Sequence, residues 1–134
     1  YGYPRAEYYL PSRSSGTLLC YYRHRAHGDP FLWPGLNDIT AFVDFSAVAE
    51  AAFAAGFDVG GYTTPAQFLF NCGVLECLAR RGPPERADYI RAARAVQRLT
   101  APAEMGELFK VLALSRGIDQ PLLGFMRGDR VHTL

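Results

Sequence analysis

Residues 16–45, GTLLCYYRHRAHGDPFLWPGLNDITAFVDF, gather histidine, arginine, carboxylate and aromatic side chains ahead of the first clear helix. Within them His24-x-x-His27-x-Asp29 offers residue types that ligate metals. A fourth ligand is missing, however, and Arg23 and Arg25 interleave like charge beside the would-be cation. No metal is assigned, and the imidazoles read better as structural groups, substrate contacts or general bases. Asp38, Thr40 and Asp44 bring acids and a hydroxyl to the approach of a helix. They can cap it, or a carboxylate among them can grip a cationic substrate group, since it matches a guanidinium bidentately. Glu104 and Glu107 stand at i, i+3 at an expected helix start, where negative charge suits the macrodipole. Cys20 lies in an apolar run without a base partner and reads as core.

The elements that must position these groups follow from periodicity. Residues 1–15 have no sustained period and read as a loop able to order against a partner. Residues 17–22, TLLCYY, are β-prone, and the breakers Gly28, Asp29-Pro30 and Trp33-Pro34-Gly35 follow. Phe45, Val48, Ala49, Ala52 and Phe53 form the apolar stripe of a helix, with Asp44 or Ser46 to cap it and Gly56 to end it. Residues 57–62 read as a strand. Thr64-Pro65-Ala66-Gln67 has the capping-box spacing with Pro at the first helical position, opening a helix that bends at Gly73 and ends at Gly82-Pro83-Pro84.

Residues 85–99 predict a second helix, with Arg91, Arg94 and Arg98 on a solvated face rather than a nucleic-acid patch, because Glu85 and Asp88 accompany them. Thr100 and Pro102 predict a third, with the stripe Met105, Leu108, Phe109 and Leu112 and a stop at Gly117. Residues 122–126 predict the closing strand. Gly56-x-x-x-Gly60-Gly61 follows a helix, whereas a cofactor loop follows a strand and opens a helix.

The 134 residues suit one domain with a real core. A net charge of +1 gives no field pointing to nucleic acid or an anionic membrane. Acidic residues interrupt the most apolar stretch, so no membrane span is expected. The three cysteines, Cys20, Cys72 and Cys77, form no C-x-x-C pair and point to a reducing compartment, here a bacterial cytoplasm. The first residue is Tyr1, not Met, so a processed, truncated or partial chain is expected.

Taken in order, YGYPRAEYY, GTLLCYYRHRAHGDPF, PGLNDITAFVDF, GYTTPAQFL and EMGELFKVLA resemble the MidA-like family of class I S-adenosylmethionine-dependent methyltransferases. That family includes a mitochondrial enzyme needed for respiratory complex I assembly, which methylates an arginine. The resemblance implies an α/β fold, the C-terminal part of a Rossmann-like methyltransferase. Residues 1–134 would be its substrate-side portion and residues 65–117 a helical insertion. Residues 57–62 would be the sixth strand and residues 122–126 the last, antiparallel one. The family's Gly-rich cofactor loop lies upstream of an Asp-Tyr-Gly segment, and this chain opens at the corresponding Tyr1-Gly2. S-adenosylmethionine would therefore be bound mainly by residues not in this chain, and the fragment alone would be inactive.

The resemblance also implies roles. Arg23, His24 and His27 match an Arg-His-x-x-His segment, Asp38, Thr40, Asp44 and Phe45 an Asp-x-Thr-x-x-Val-Asp-Phe segment, and Glu107 and Phe109 a Met-Gly-Glu-x-Phe segment. Asp44 and His24 become the catalytic candidates. Tyr1, Tyr3, Arg23, His27, Asp38, Thr40, Phe45 and Glu107 become the substrate-binding ones. Phe42 departs from the His or Asp common in the family, and Pro65 from Gln, so no catalytic role falls on Phe42. The expected partner is a protein substrate such as a respiratory-complex subunit, with no nucleic acid. Uncovered strand edges make a homodimer one expected state. The alternative is a non-catalytic interaction module derived from the same fold.

Overall fold

The computed structural model describes all residues, Tyr1–Leu134, as a mixed α/β protein with two compact units, Tyr1–Val48 and Ala49–Leu134. In the first unit, the expected N-terminal loop is partly ordered. It holds strand β1 (Gly2–Tyr3), the single-turn helix α1 (Arg5–Tyr8) and a 3-10 turn at Pro11–Arg13. Then come β2 (Leu19–Tyr22), β3 (Arg25–His27), β4 (Asp38–Thr40) and β5 (Val43–Asp44). β2 is the centre of an antiparallel sheet in the order β3-β2-β4, while β1 and β5 form a separate parallel pair. Cys20, opposite both His27 and Ile39, is fully buried, as its apolar neighbours predict.

Helix α2 (Phe45–Ala54) begins in the first unit and continues into the second. Beyond it, β6 (Asp58–Thr63) leads to α3 (Pro65–Asn71), α4 (Val74–Ala79) and α5 (Ala87–Thr100). The capping box forms as its spacing predicts: Thr64 Oγ1 accepts the Gln67 N–H at 3.4 Å, and Pro65 takes the first helical position. Gly73, at φ +78°, separates α3 from α4 instead of merely bending one helix.

Two sequence expectations are overturned in this unit. The predicted helix from Thr100 shrinks to a π-helical turn at Pro102–Gly106, and the stretch after it becomes strand β7 (Val111–Ser115). Gly106 packs onto the end of α5, where a Cβ would lie 2.2 Å from the Thr100 carbonyl oxygen. The following apolar residues then pair antiparallel along β6, from Thr63 with Val111 to Asp58 with Ser115. Helical structure in the expected 65–117 segment therefore stops at Gly106, and the antiparallel strand is Val111–Ser115.

Residues 122–126 are no strand. They hold a 3-10 turn at Leu123–Phe125, fixed by Asn71 Nδ2, which donates to the carbonyls of Gly124 and Arg127, each at 2.8 Å. Asp129 Oδ1 accepts the Tyr62 N–H at 2.9 Å and the Arg130 N–H donates to the Tyr62 carbonyl at 2.6 Å, so the C-terminal segment satisfies the free edge of β6. Gly61 permits this approach, since a Cβ there would lie 2.2 Å from Phe125. The apolar residues that become buried are few: Cys20, Ala49, Ala52, Tyr62 and Ala66, of which only Cys20 and Tyr62 are fully so. Backbone ladders and side-chain clamps therefore hold much of the fold in place of a large apolar core.

Candidate functional site

The parallel pair β1–β5 places Tyr3 directly opposite Asp44. Each residue ends its strand, and each strand runs almost at once into a helix. Asp44 Oδ1 accepts the Ala47 N–H at 3.0 Å, the N-capping reading of the sequence. Its other oxygen, Oδ2, lies 3.7 Å from Nε of Arg5, and the Asp44 side chain is only 14% exposed. The Arg5 backbone N–H donates to the buried Ser46 hydroxyl at 2.9 Å, tying the start of α1 to the start of α2. A carboxylate with one oxygen fixed by a helix and the other against a guanidinium is thus already oriented.

An aromatic wall adjoins this pair. Phe42 stacks on Tyr1, with ring centroids 6.1 Å apart, and tilts against Tyr3 at 5.5 Å. Arg13 lies over the Tyr3 ring at 3.8 Å from its centroid. Thr17 Oγ1 fixes the wall, accepting the Phe42 N–H at 3.1 Å and contacting Tyr8 Oη at 3.2 Å. Phe45 is half-buried beside Asp44. A hollow of about 460 Å³ opens between Arg13, Phe42 and the 15–19 segment.

The β2–β3 hairpin builds a second concavity. Tyr22 faces Arg25 in register, so the two-residue turn is Arg23-His24, with φ of +47° and +64°. Positive φ at both positions is the type I′ geometry that normally takes Asn-Gly. Trp33 is also left-handed, at φ +50°. Its ring lies 4.6 Å from Tyr22 and stands edge-on to His27 at 6.2 Å. Tyr22, Arg23, Arg25, His27 and Trp33 enclose about 400 Å³. Asn37 donates through Nδ2 to the carbonyls of Leu32 and Trp33, which leaves Oδ1 facing His27 Nε2 at 3.2 Å. Nε2 must therefore donate, and in the neutral ring Nδ1 carries the lone pair. That Nδ1 is buried and has no partner.

The remaining sequence candidates fall elsewhere. His24 is exposed at the hairpin tip, and Asp38 is exposed on β4. Thr40 Oγ1 donates to the Leu19 carbonyl at 3.0 Å, an ordinary strand contact. Asp29 Oδ1 accepts the Phe31 N–H at 2.9 Å, a turn role, and no three His, Cys, Asp or Glu side chains group as metal ligands. Glu107 belongs to the second unit, where both its oxygens accept from Arg130 at 3.1 Å. That bidentate pair accounts for its carboxylate structurally, through a residue the sequence reading passed over. Arg13, Tyr22, Arg25, Trp33 and Asn37 were missed as well. The one local signal for them is the aromatic before Pro34-Gly35, which reads only as a turn.

Residues 1–63 match a protein family described as "putative S-adenosyl-L-methionine-dependent methyltransferase". The mitochondrial protein arginine methyltransferase NDUFAF7 homolog of Drosophila melanogaster is 34% identical over 119 residues, covering 81% of this chain and 26% of that protein. A Burkholderia thailandensis protein considered a methyl transferase, crystallised with S-adenosyl-homocysteine, superposes with a TM-score of 0.92 at 58% identity. That match covers 100% of this chain and 35% of that one. A native crystal structure of a protein of the same superfamily and organism gives a TM-score of 0.94 at 58% identity, over 100% of this chain and 36% of that one. The chain thus spans 26% to 36% of the length of these relatives.

Proposed function

We propose that this chain, whose residues 1–63 match the S-adenosyl-L-methionine-dependent methyltransferase family above, forms the acceptor side of a Rossmann-like class I enzyme that methylates a protein arginine. The observation that carries this reading is Tyr3 opposite Asp44 at the carboxyl ends of two parallel strands. In open α/β sheets ligands bind beyond those ends. The mitochondrial arginine methyltransferase relative supports a protein acceptor, with a respiratory-complex subunit as the proposed class. A bacterial cytoplasmic location and a homodimeric assembly belong to the same proposal.

The residues present do not build a cradle for the cofactor. The left-handed glycines, from Gly16 to Gly128, lie in turns, and none joins a strand to an α-helix it opens. S-adenosylmethionine supplies the sulfonium methyl, and in this proposal polypeptide outside residues 1–134 holds it. The work of this chain is on the acceptor. A guanidinium reacts through one nitrogen, so it must be held with that nitrogen aimed at the methyl group, and alignment provides much of the rate. Asp44 Oδ2 is the orienting group, because it already faces a guanidinium, that of Arg5, which the acceptor would replace. Tyr1, Tyr3 and Phe42 offer an apolar flank for the acceptor's aliphatic stem. His24, exposed at the hairpin tip beyond the Asp38 end of the sheet, is given no part in the transfer, and the proton leaves to solvent.

A second reading, a non-catalytic interaction module, is favoured by one fact: both Asp44 oxygens already have protein partners. Incubating the full-length protein with tritiated S-adenosylmethionine and protein acceptors separates the two. Label recovered as methylarginine after hydrolysis is the expected result, and its absence favours the module. Asp44→Ser keeps a capping hydroxyl and removes the carboxylate, so transfer should fall roughly hundredfold while the helix persists. An unchanged rate in that variant removes Asp44 from the mechanism. In calorimetry, residues 1–134 alone should show no tight binding of S-adenosylmethionine, and tight binding would contradict the division of labour.

A further inference from the structure

Arg23 and Arg25 line the hairpin concavity, neither has a carboxylate partner, and Arg23 lies over the Tyr22 ring at 5.4 Å from its centroid. Strand alternation explains why the concavity exists. Cys20 and Tyr22 share one face of β2, and their register partners His27 and Arg25 share the same face of β3. Cys20 is sealed at the base, and the loop carrying Trp33 folds back over the open end. The only non-glycine residues with positive φ in the chain are Arg23, His24 and Trp33. Each costs on the order of 1–3 kcal/mol, and such outliers persist where the surroundings over-determine them. Here they aim the arginines and set the indole against Tyr22 and His27.

The chemistry of the walls narrows the ligand. Two guanidinium groups without carboxylates call for an anion, and Trp33 offers a flat partner beside it. His27, held by Asn37 through Nε2 and edge-on to Trp33, completes the wall between them. The proposed acceptor is a polypeptide, so the anion it brings is a carboxylate side chain. We propose that the Tyr22–Arg23–Arg25–His27–Trp33 pocket recognises an acidic residue next to an aromatic one in the acceptor polypeptide. This rests on the methyltransferase reading above and names a recognition element for its substrate. The carboxylate would pair with Arg25 and Arg23, and the aromatic ring would lie against Trp33.

The test uses the full-length protein and two capped peptides, Ala-Glu-Tyr-Ala and its glutamine analogue, titrated in a calorimeter without S-adenosylmethionine. The glutamate peptide should bind about tenfold more tightly than the glutamine one, as expected for a partly exposed charge-assisted contact. Arg25→Gln should abolish that difference and Arg25→Lys should restore part of it. Trp33→Leu should weaken both peptides equally. Arg25 is exposed on a strand, so circular dichroism should show both Arg25 variants folded. Equal binding of the two peptides, or a preference that survives Arg25→Gln in folded protein, overturns the proposal. So does displacement of the peptide by inorganic phosphate or a short RNA at lower concentration than by free glutamate. Methylarginine formation is measured separately: transfer without peptide discrimination removes the pocket and leaves the enzyme, whereas loss of transfer alone removes the enzyme reading.

Discussion

The β2–β3 hairpin of the first unit and the β6–β7 ladder of the second are both antiparallel pairs, yet their polar groups are used in opposite ways. Around β6 several backbone and side-chain groups are clamped together. Asn71 donates to two carbonyls, Asp129 and Arg130 occupy both backbone groups of Tyr62, and Glu107 and Arg130 pair bidentately. Around the hairpin, two arginines lack carboxylates, one imidazole nitrogen lacks a donor, and the turn adopts a conformation disfavoured for its residues. The first pattern is that of a scaffold, whose clamps close on its own backbone. The second is that of a surface prepared for something else, because strain and unpaired polar groups cost stability that folding alone would not retain.

The contrast can be broken most severely at Gly61. Gly61→Ala puts a Cβ 2.2 Å from Phe125, so the C-terminal segment must lift from β6. Overpacking of that kind costs about 3 kcal/mol, and urea denaturation of the full-length protein should show it. A variant of unchanged midpoint would mean that the β6 clamp is not rigid. A smaller loss is expected from Asn71→Ala, which leaves the Gly124 and Arg127 carbonyls without their donor. About 2 kcal/mol should disappear, with faster hydrogen exchange at the Tyr62 and Phe125 amides. The smallest change has the opposite sign. Replacing Arg23-His24 by Asn-Gly gives the turn the residues its geometry prefers, and should raise stability by roughly 1 kcal/mol while weakening acidic-peptide binding. If stability falls instead, the hairpin is not strained for function and the comparison loses its second half.

Much of the scaffold was legible because its signals are local. The Thr64 cap depends on a group three residues away, Pro65 on its own ring, and α5 on its 3.6-residue stripe, so the sequence is sufficient to place them. The apolar run that became β7 was read as helix because its period fits either state over so short a span. The candidate site was legible only as a set of residue types. The segment with Arg23, His27, Asp38 and Asp44 was identifiable, but not that Asp38 stands exposed on β4 while His27 reaches Asn37.

The sequence by itself therefore determined the starts of α2 and α3, the β-prone run through Cys20 and, through the order of its segments, a resemblance to a methyltransferase family. Tertiary structure alone decided that Val111–Ser115 is a strand, that Leu123–Phe125 is a turn and that Trp33 closes over Tyr22 and His27. The physical reason is range. A cap or a stripe is closed by neighbours within a few residues, whereas a strand exists only once a distant partner supplies its ladder. A pocket exists only once separate loops meet with their side chains on one face.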